Sequence, residues 1–252
     1  MQLLALLFLS LAATACSSGT ATSLPTALNL ANTFSQLTSE LDQISFGSCS
    51  VANAILPVNN TSVQLPVPAA GLGIKYIAIG RGTQNYTCSS SNSSIIPVAT
   101  GAAATLFDAS CFASQSMTLL HELPAMIEQV PLGSLAFMAM ILGQVTNTTN
   151  LIIGEHYFNA AGDPFFDLKL TGTDTWMNGA KNASATAPIR VATPADANGK
   201  NDVAWLRLVS TAGNAIKEVY RVKTFNGNPP ATCAGQQGTV LVDYAAEYWF
   251  YG

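Results

Sequence analysis

Residues 240–251 alternate strictly between the two faces of an extended strand. One face carries Val242, Tyr244, Ala246, Tyr248 and Phe250. A period of two with many aromatic side chains is typical of a β-strand. Other strand-like segments are 74–79, 84–88, 103–107, 151–158, 165–170, 203–209 and 216–224.

Long helices do not separate these segments, although parallel strands need such crossovers. The sequence therefore predicts a mainly β fold, an antiparallel β-sandwich or barrel, as a single domain over residues 71–252. Gly80 and Gly82 predict that the first strand ends there, before a second short strand begins.

Apolar residues near the N-terminus recur in steps of three and four, which places them on one helix face. They are Leu30, Phe34, Leu37, Leu41 and Ile44. We expect this N-terminal amphipathic helix to pack on the sheet, and the alternative is a surface for a partner. The Pro-rich residues 53–71 predict an extended surface arm.

The Met- and Leu-rich segment 116–145 interrupts the β pattern. It predicts a helical insertion of two or three short helices, with Ser116 and Ser134 as N-caps. The expected breaks are Pro124, Pro131 and Gly133. We expect the insertion to cover one end of the sheet, and the alternatives are a mobile lid or a lipid-facing surface. Its apolar centre is too short for a membrane span.

The N-terminus has the pattern of a cleaved signal peptide, residues 1–15. An apolar run over 3–11 is interrupted only by Ser10 and is followed by small residues. The run is too short to cross a bilayer, and the small residues suit a signal peptidase. We expect cleavage near Ala15, which leaves a leader, 16–70, and the β-domain. Lipoprotein processing at Cys16 is the alternative.

Charge and glycosylation signals indicate the compartment and the partners. Charged residues make up 10% of the chain and the net charge is −4, whereas soluble chains average about 25% charged. Nucleic acid is not an expected partner, because no cluster of Lys and Arg is present. Glycosylation sequons begin at Asn59, Asn60, Asn85, Asn92, Asn147 and Asn182. They predict a secreted, extracellular glycoprotein.

Four cysteines follow the leader's first residue, Cys16. They are Cys49, Cys88, Cys111 and Cys233. An even number without a C-x-x-C pair predicts two disulfides and no metal site. The spacing alone leaves three pairings open.

Seven short segments carry a family resemblance. They are 71–88, 101–108, 154–157, 203–208, 218–224, 228–233 and 243–250. Together they resemble a secreted domain-of-unknown-function family of fungi and bacteria, over about residues 70–252. The resemblance implies an extracytoplasmic location and no established activity. It also implies a Cys88–Cys233 disulfide, with Cys49–Cys111 as the addition found in fungal members.

Some fungal members of this family carry a malate dehydrogenase label. A nicotinamide-binding unit needs a G-x-G-x-x-G turn between a strand and a helix. In this chain Gly71-Leu-Gly73 is followed by Ile74 and opens a strand. We therefore expect neither malate dehydrogenase activity nor a cofactor.

Histidine offers the main candidate for catalysis. His156 lies in a predicted hairpin near Asp167 and Lys169, so a general base beside a carboxylate is one interpretation. A structural histidine is the alternative that we favour, because no nucleophile accompanies it. The other histidine, His121, lacks a second histidine at metal-ligand spacing. Carboxylates available for glycoside hydrolysis are Asp108, Asp167, Asp243 and Glu247.

Three functions are compatible with these patterns. We rank first a non-catalytic β-domain that binds a cell-wall polysaccharide or a host-surface component through Trp176, Trp249 and Tyr251. The second is a small-molecule enzyme or hydrolase that uses His156 and a nearby carboxylate. The third is a carrier that holds an apolar ligand beneath residues 116–145.

Overall fold

A computed structural model describes residues 31–32, 35–36, 38–47, 49–58, 64–146, 151–188 and 202–252. Within them, eight antiparallel strands pair in chain order and close into a barrel, which confirms the predicted fold class. The strands are β1 (Ile74–Cys88), β2 (Val98–Asp108), β3 (Ile152–Phe158), β4 (Pro164–Asp167), β5 (Trp176–Ala185), β6 (Trp205–Gly213), β7 (Glu218–Asn226) and β8 (Gly238–Tyr251).

The barrel closes where β1 pairs with β8 along its whole length. Beyond the strand ends, Gly73 and Gly252 exchange two backbone hydrogen bonds. The predicted break in β1 is wrong, because the strand runs through both glycines. A Cβ at Gly80 would meet the Tyr248 ring at 2.4 Å, and one at Gly82 would meet the carbonyl oxygen of Ala103 at 1.9 Å. These glycines permit close approach and do not end the strand.

Strand β8 has the two faces that its alternation predicts. Tyr244, Ala246, Tyr248 and Phe250 point into the barrel and belong to the inner core. Ala245, Trp249 and Tyr251 belong to a second core on the outside of the barrel. From Tyr244 to Tyr251 both faces are buried, and they pack against different partners.

Three helices cover the outer face: α1 (Ser110–Gln115), α2 (Met117–Ile127) and α3 (Leu132–Val145). The predicted helical insertion is therefore confirmed, and Ser116 caps α2 by accepting from the Leu119 N–H at 3.2 Å. Two details of that prediction are wrong. Pro124 lies inside α2 without ending it, and α3 begins after Pro131, so that Gly133 and Ser134 lie in its first turn.

The segment before the barrel packs on the same outer core. Residues 38–41 are helical, Leu41 contacts the outer core, and Ile44 is buried. Val58 and Leu65 in the Pro-rich arm are each 3% exposed. The Tyr220 hydroxyl donates to the Pro66 carbonyl at 2.9 Å, which fastens the arm to β7.

Several predictions concern residues outside the described ranges. They are the signal peptide, Cys16, the helix positions Leu30, Phe34 and Leu37, and the sequons at Asn59, Asn60 and Asn147. No helix in the described part of the chain is both long and apolar enough to cross a membrane.

Two disulfides join the described cysteines. Cys88 bonds Cys233, and Cys49 bonds Cys111, which are the pairs implied by the family resemblance. The first links the end of β1 to the segment before β8. The second links the residues that precede the arm to α1.

Candidate functional site

The predicted catalytic histidine lies inside the barrel. His156 is 4% exposed, its ring stacks on Phe166 with centroids 4.3 Å apart, and its Nδ1–H donates to the Phe165 carbonyl at 2.9 Å. Burial lowers the pKa of His156 to about 4, so the ring is neutral at neutral pH. An imidazole so enclosed has no direct path to a substrate in solution.

The two proposed partners of His156 lie on the opposite face of the sheet. Phe166 is paired with His156 and points inward, so the next residue, Asp167, points outward. Its Oδ1 accepts from the backbone N–H of Lys169 at 3.1 Å, and the Lys169 Nζ lies 4.0 Å from its Oδ2. Asp167 and Lys169 therefore contact each other in a turn, and neither contacts the imidazole of His156.

Two of the three aromatic candidates for binding belong to the outer core. Trp249 is fully buried and Tyr251 is 6% exposed. The Trp249 Nε1–H donates to Glu247 Oε2 at 2.9 Å. Helices and the arm cover both rings, so neither ring presents a face to solvent.

Trp176 differs from these two residues because it is half-buried and lies on the outside of β5. Its ring is nearly parallel to that of Phe165 on β4, with centroids 5.6 Å apart. Tyr157 on β3 continues this line, 5.3 Å from Phe165, and is 36% exposed. We call Tyr157, Phe165 and Trp176 the aromatic row.

The aromatic row crosses three neighbouring strands on one outer face. The residue next to each ring along its strand points into the barrel; these residues are His156, Phe166 and Met177. Because successive side chains of a strand alternate between its faces, the three rings lie on the outside. The outer core that α1 to α3 cover draws none of its members from β3 or β4. Within the described residues, the aromatic rings on this part of the barrel surface therefore lie outside the outer core, and α3 approaches them only where Leu132 borders a cleft with Tyr157.

Polar side chains border one end of the aromatic row. Asn178 Nδ2 contacts Asp163 Oδ2 at 3.1 Å and Thr211 Oγ1 at 2.9 Å. Asn159 Nδ2 donates to Asn178 Oδ1 at 2.7 Å. These contacts hold amide and hydroxyl groups in fixed positions beside the rings, as a site for a polyhydroxylated ligand requires.

A cavity of about 110 Å³ lies between the barrel and α3. Its walls include Phe46, Ile79, Phe112, Leu135, Ala139 and Leu142. Asp108 is the one polar residue among them, and its Oδ1 accepts from the Ser110 N–H at 2.9 Å. The cavity suits a small apolar group, and it lies where the sequence placed the ligand of a carrier.

A histidine and carboxylate pair that the sequence did not predict joins α2 to β8. His121 Nδ1 lies 2.7 Å from Glu247 Oε1. Together with Trp205 and Lys223, His121 borders a cleft of about 220 Å³. The two residues lie 126 positions apart, so local sequence offers no signal for their contact.

No group of three or more His, Cys, Asp or Glu residues in the described ranges is arranged to hold a metal ion. A family model described as a protein of unknown function (DUF3455) matches residues 68–252. The match confirms the resemblance to a family of unknown function. No curated protein and no solved structure matches the chain.

Proposed function

This chain belongs to the DUF3455 family of proteins of unknown function, and we propose that it is a secreted, non-catalytic protein that binds a neutral polysaccharide. The aromatic row is the observation that carries the proposal. Tyr157, Phe165 and Trp176 lie side by side on adjacent strands. A rigid sheet holds the three rings in place before a ligand arrives, so little conformational entropy is lost on binding.

The chemistry of the row fits a sugar chain. Aromatic rings offer a flat apolar surface for the C–H face of a sugar. The contacts among the described residues use one amide hydrogen of Asn159, so the second can donate to a sugar hydroxyl, and Asn178 Oδ1 can accept a second hydrogen bond. A ligand that crosses the strands would contact the three rings in succession. The row consists of two ring-to-ring steps of 5.3 and 5.6 Å, so a short stretch of a sugar chain would contact all three rings.

Local charge indicates which polysaccharide would bind. Glu155, Asp163, Asp167 and Asp174 surround the row, and Lys169 is shared between the last two. This excess of carboxylates would repel an acidic polymer. We therefore expect glucan or chitin as the ligand class, and no binding of uronic acid polymers.

Secretion is part of the same proposal. The apolar N-terminal run and the sequons support it. The two disulfides also support it, because such bonds persist in oxidising compartments. A polysaccharide of the cell wall would be accessible there.

Retention on insoluble chitin and insoluble β-glucan tests the proposal. We expect the wild-type protein to be retained and Trp176→Ala to lose about 5- to 150-fold in affinity, by analogy with the stacking of a nucleic-acid base on an aromatic ring, which contributes about 1–3 kcal/mol. Phe137→Ala, which removes an exposed ring on α3, is the matched control and should bind as wild type. Equal retention of Trp176→Ala and wild type would contradict the proposal.

Transport of a small apolar ligand is a second candidate, which the cavity under α3 favours. Engineered apolar cavities of comparable size bind single-ring compounds. Because Asp108 is the sole polar wall residue, the ligand would be neutral, and a fatty acid carboxylate would be repelled. Ala139→Phe fills the cavity and should abolish binding of benzene, a neutral single-ring probe, measured as the rise in the thermal unfolding midpoint that benzene causes in the wild-type protein. Met140→Phe, on the exposed side of α3, is the control and should leave binding of the probe unchanged. Equal loss of binding in the two variants would contradict this candidate.

A further inference from the structure

The interior of the barrel contains a cation that no carboxylate neutralises. Two arginines are buried in the described residues, Arg81 and Arg221. Arg81 Nη1 lies 2.9 Å from Asp243 Oδ1. Arg221 has no carboxylate within contact distance among the described residues.

The Arg221 side chain has neutral partners for part of its guanidinium. Its Nη1 donates to Gln84 Oε1 at 3.3 Å, and its Nη2 donates to the Ala204 carbonyl at 2.9 Å. Its Nε has no partner, and neither has Nε2 of the neighbouring Gln84. Both unpaired groups are donors. The nearest neutral acceptors are the hydroxyl oxygens of Tyr248, beside Arg221, and of Tyr244, beside Gln84, so the site lacks only a negatively charged acceptor among the described residues.

The other polar side chains around Arg221 do not supply the missing charge. Tyr86, Tyr244 and Tyr248 surround it, and burial raises the pKa of each hydroxyl. Burial also keeps His156 neutral by lowering its pKa to about 4. Tyr244 and Tyr248 hydroxyl oxygens lie 2.8 Å apart, and Tyr86 donates to the Gly227 carbonyl. All four groups are uncharged at neutral pH.

A buried charge is strongly unfavourable unless it is paired and hydrogen-bonded. Arg221 and Gln84 are each 8% exposed, so both side chains are largely removed from solvent. The side chains of Tyr244, Tyr248 and Phe166 are fully buried in the same barrel interior, so any ligand bound there must be small. We propose that a compact monovalent anion, either chloride or a small carboxylate, binds inside the barrel between Arg221 Nε and Gln84 Nε2.

Titration followed by the side-chain Nε–H resonances of arginine tests this site directly. Sodium acetate should shift the Arg221 signal saturably, while neutral acetamide, which has a similar shape, should not. A second titration with sodium chloride shows whether the site binds a halide, a carboxylate or both. The Arg207 signal is an internal control, because its Nε already donates to Glu218 at 3.0 Å. An unchanged Arg221 signal with both anions, or an equal shift with acetamide, would overturn the proposal.

A charge-supplying variant gives an independent test that does not require the loss of Arg221. Gln84→Glu places a carboxylate beside the guanidinium, so we expect it to abolish the acetate and chloride shifts and to raise the midpoint of thermal unfolding in salt-free buffer. Gln84→Met, without a charge, should lower that midpoint. If Gln84→Glu lowered the midpoint as much as Gln84→Met, the site would not need an anion and the proposal would fail.

Discussion

His121 Nδ1 on α2 lies 2.7 Å from Oε1 of Glu247 on β8, and Glu247 is fully buried. The second carboxylate oxygen accepts from Trp249 Nε1, so both oxygens have partners. The carboxylate thereby connects a helix of the insertion to the barrel wall. A buried carboxylate is tolerated when it is paired and hydrogen-bonded in this way.

Glu247→Gln should destabilise the protein by about 1–3 kcal/mol, because it leaves a buried polar group with poorer partners. Urea denaturation measures the change as a lower midpoint. Glu122→Gln on α2 is the control, since its side chain is exposed, and its effect should be smaller. A Glu247→Gln protein as stable as wild type would show that the pair does not hold α2 in place.

Acid should weaken the fold through His156. Its pKa is about 6.5 in the unfolded chain and about 4 in the barrel, so the unfolded state binds the proton more readily between these values. Protonation of His156 therefore does not change the free energy of unfolding above pH 6.5. It lowers that free energy as the pH falls from 6.5 to 4. At about 1.4 kcal/mol per pKa unit, the decrease is about 3 kcal/mol.

Urea midpoints measured across this pH window test the effect, with His156→Gln as the comparison. The variant should lose the part of the pH dependence that His156 contributes. If wild type and variant had parallel pH profiles between 4 and 6.5, the imidazole would not be responsible.

Gly154→Ala should disrupt the pairing of β3 with β4. A Cβ at Gly154 would lie 1.9 Å from the Asp167 carbonyl oxygen, and backbone must move to relieve that contact. We expect a loss of more than about 2 kcal/mol of stability, as for other overpacked sites. Gly73→Ala, where no atom lies within 4 Å of the added Cβ, should change the unfolding midpoint little. Similar midpoints for the two variants would argue against a close approach at Gly154.

Glycan occupancy should differ between two sequons that lie close together in the sequence. Asn92 is exposed, whereas Asn85 is half-buried in β1 and its Oδ1 accepts from Thr83 Oγ1 at 2.8 Å. After expression through a eukaryotic secretory pathway, peptide mass spectrometry should find a glycan at Asn92 and none at Asn85. A glycan at Asn85 would show that β1 is accessible after translocation.

The sequence predicted features that depend on local pattern. The alternation in β8 identified both faces of the strand, because one faces the barrel interior and the other faces the helices. Strand β5 was missed, since its sequence, WMNGAKNASA, is largely polar and only part of it packs on the inner core. The propensity signal for a strand is weak when most of its outer face contacts solvent.

Site geometry was less predictable than the fold. Trp176 was identified as a binding candidate, but its neighbours Tyr157 and Phe165 were not, because their alignment depends on the register of β3, β4 and β5. Trp249 was assigned the same role and is instead core, since the helices that cover it come from a distant segment. The disulfide pairs followed from the family resemblance and not from spacing.

Closure of the barrel by β1 and β8 has a consequence for how the chain folds. The first strand pairs with the last along its full length, so β1 keeps one unpaired edge until β8 has been synthesised. During that interval the edge can pair with other chains. Closure of the barrel must therefore wait until the last strand has been synthesised. We expect this long-range contact to slow barrel formation, as in other β proteins with high contact order.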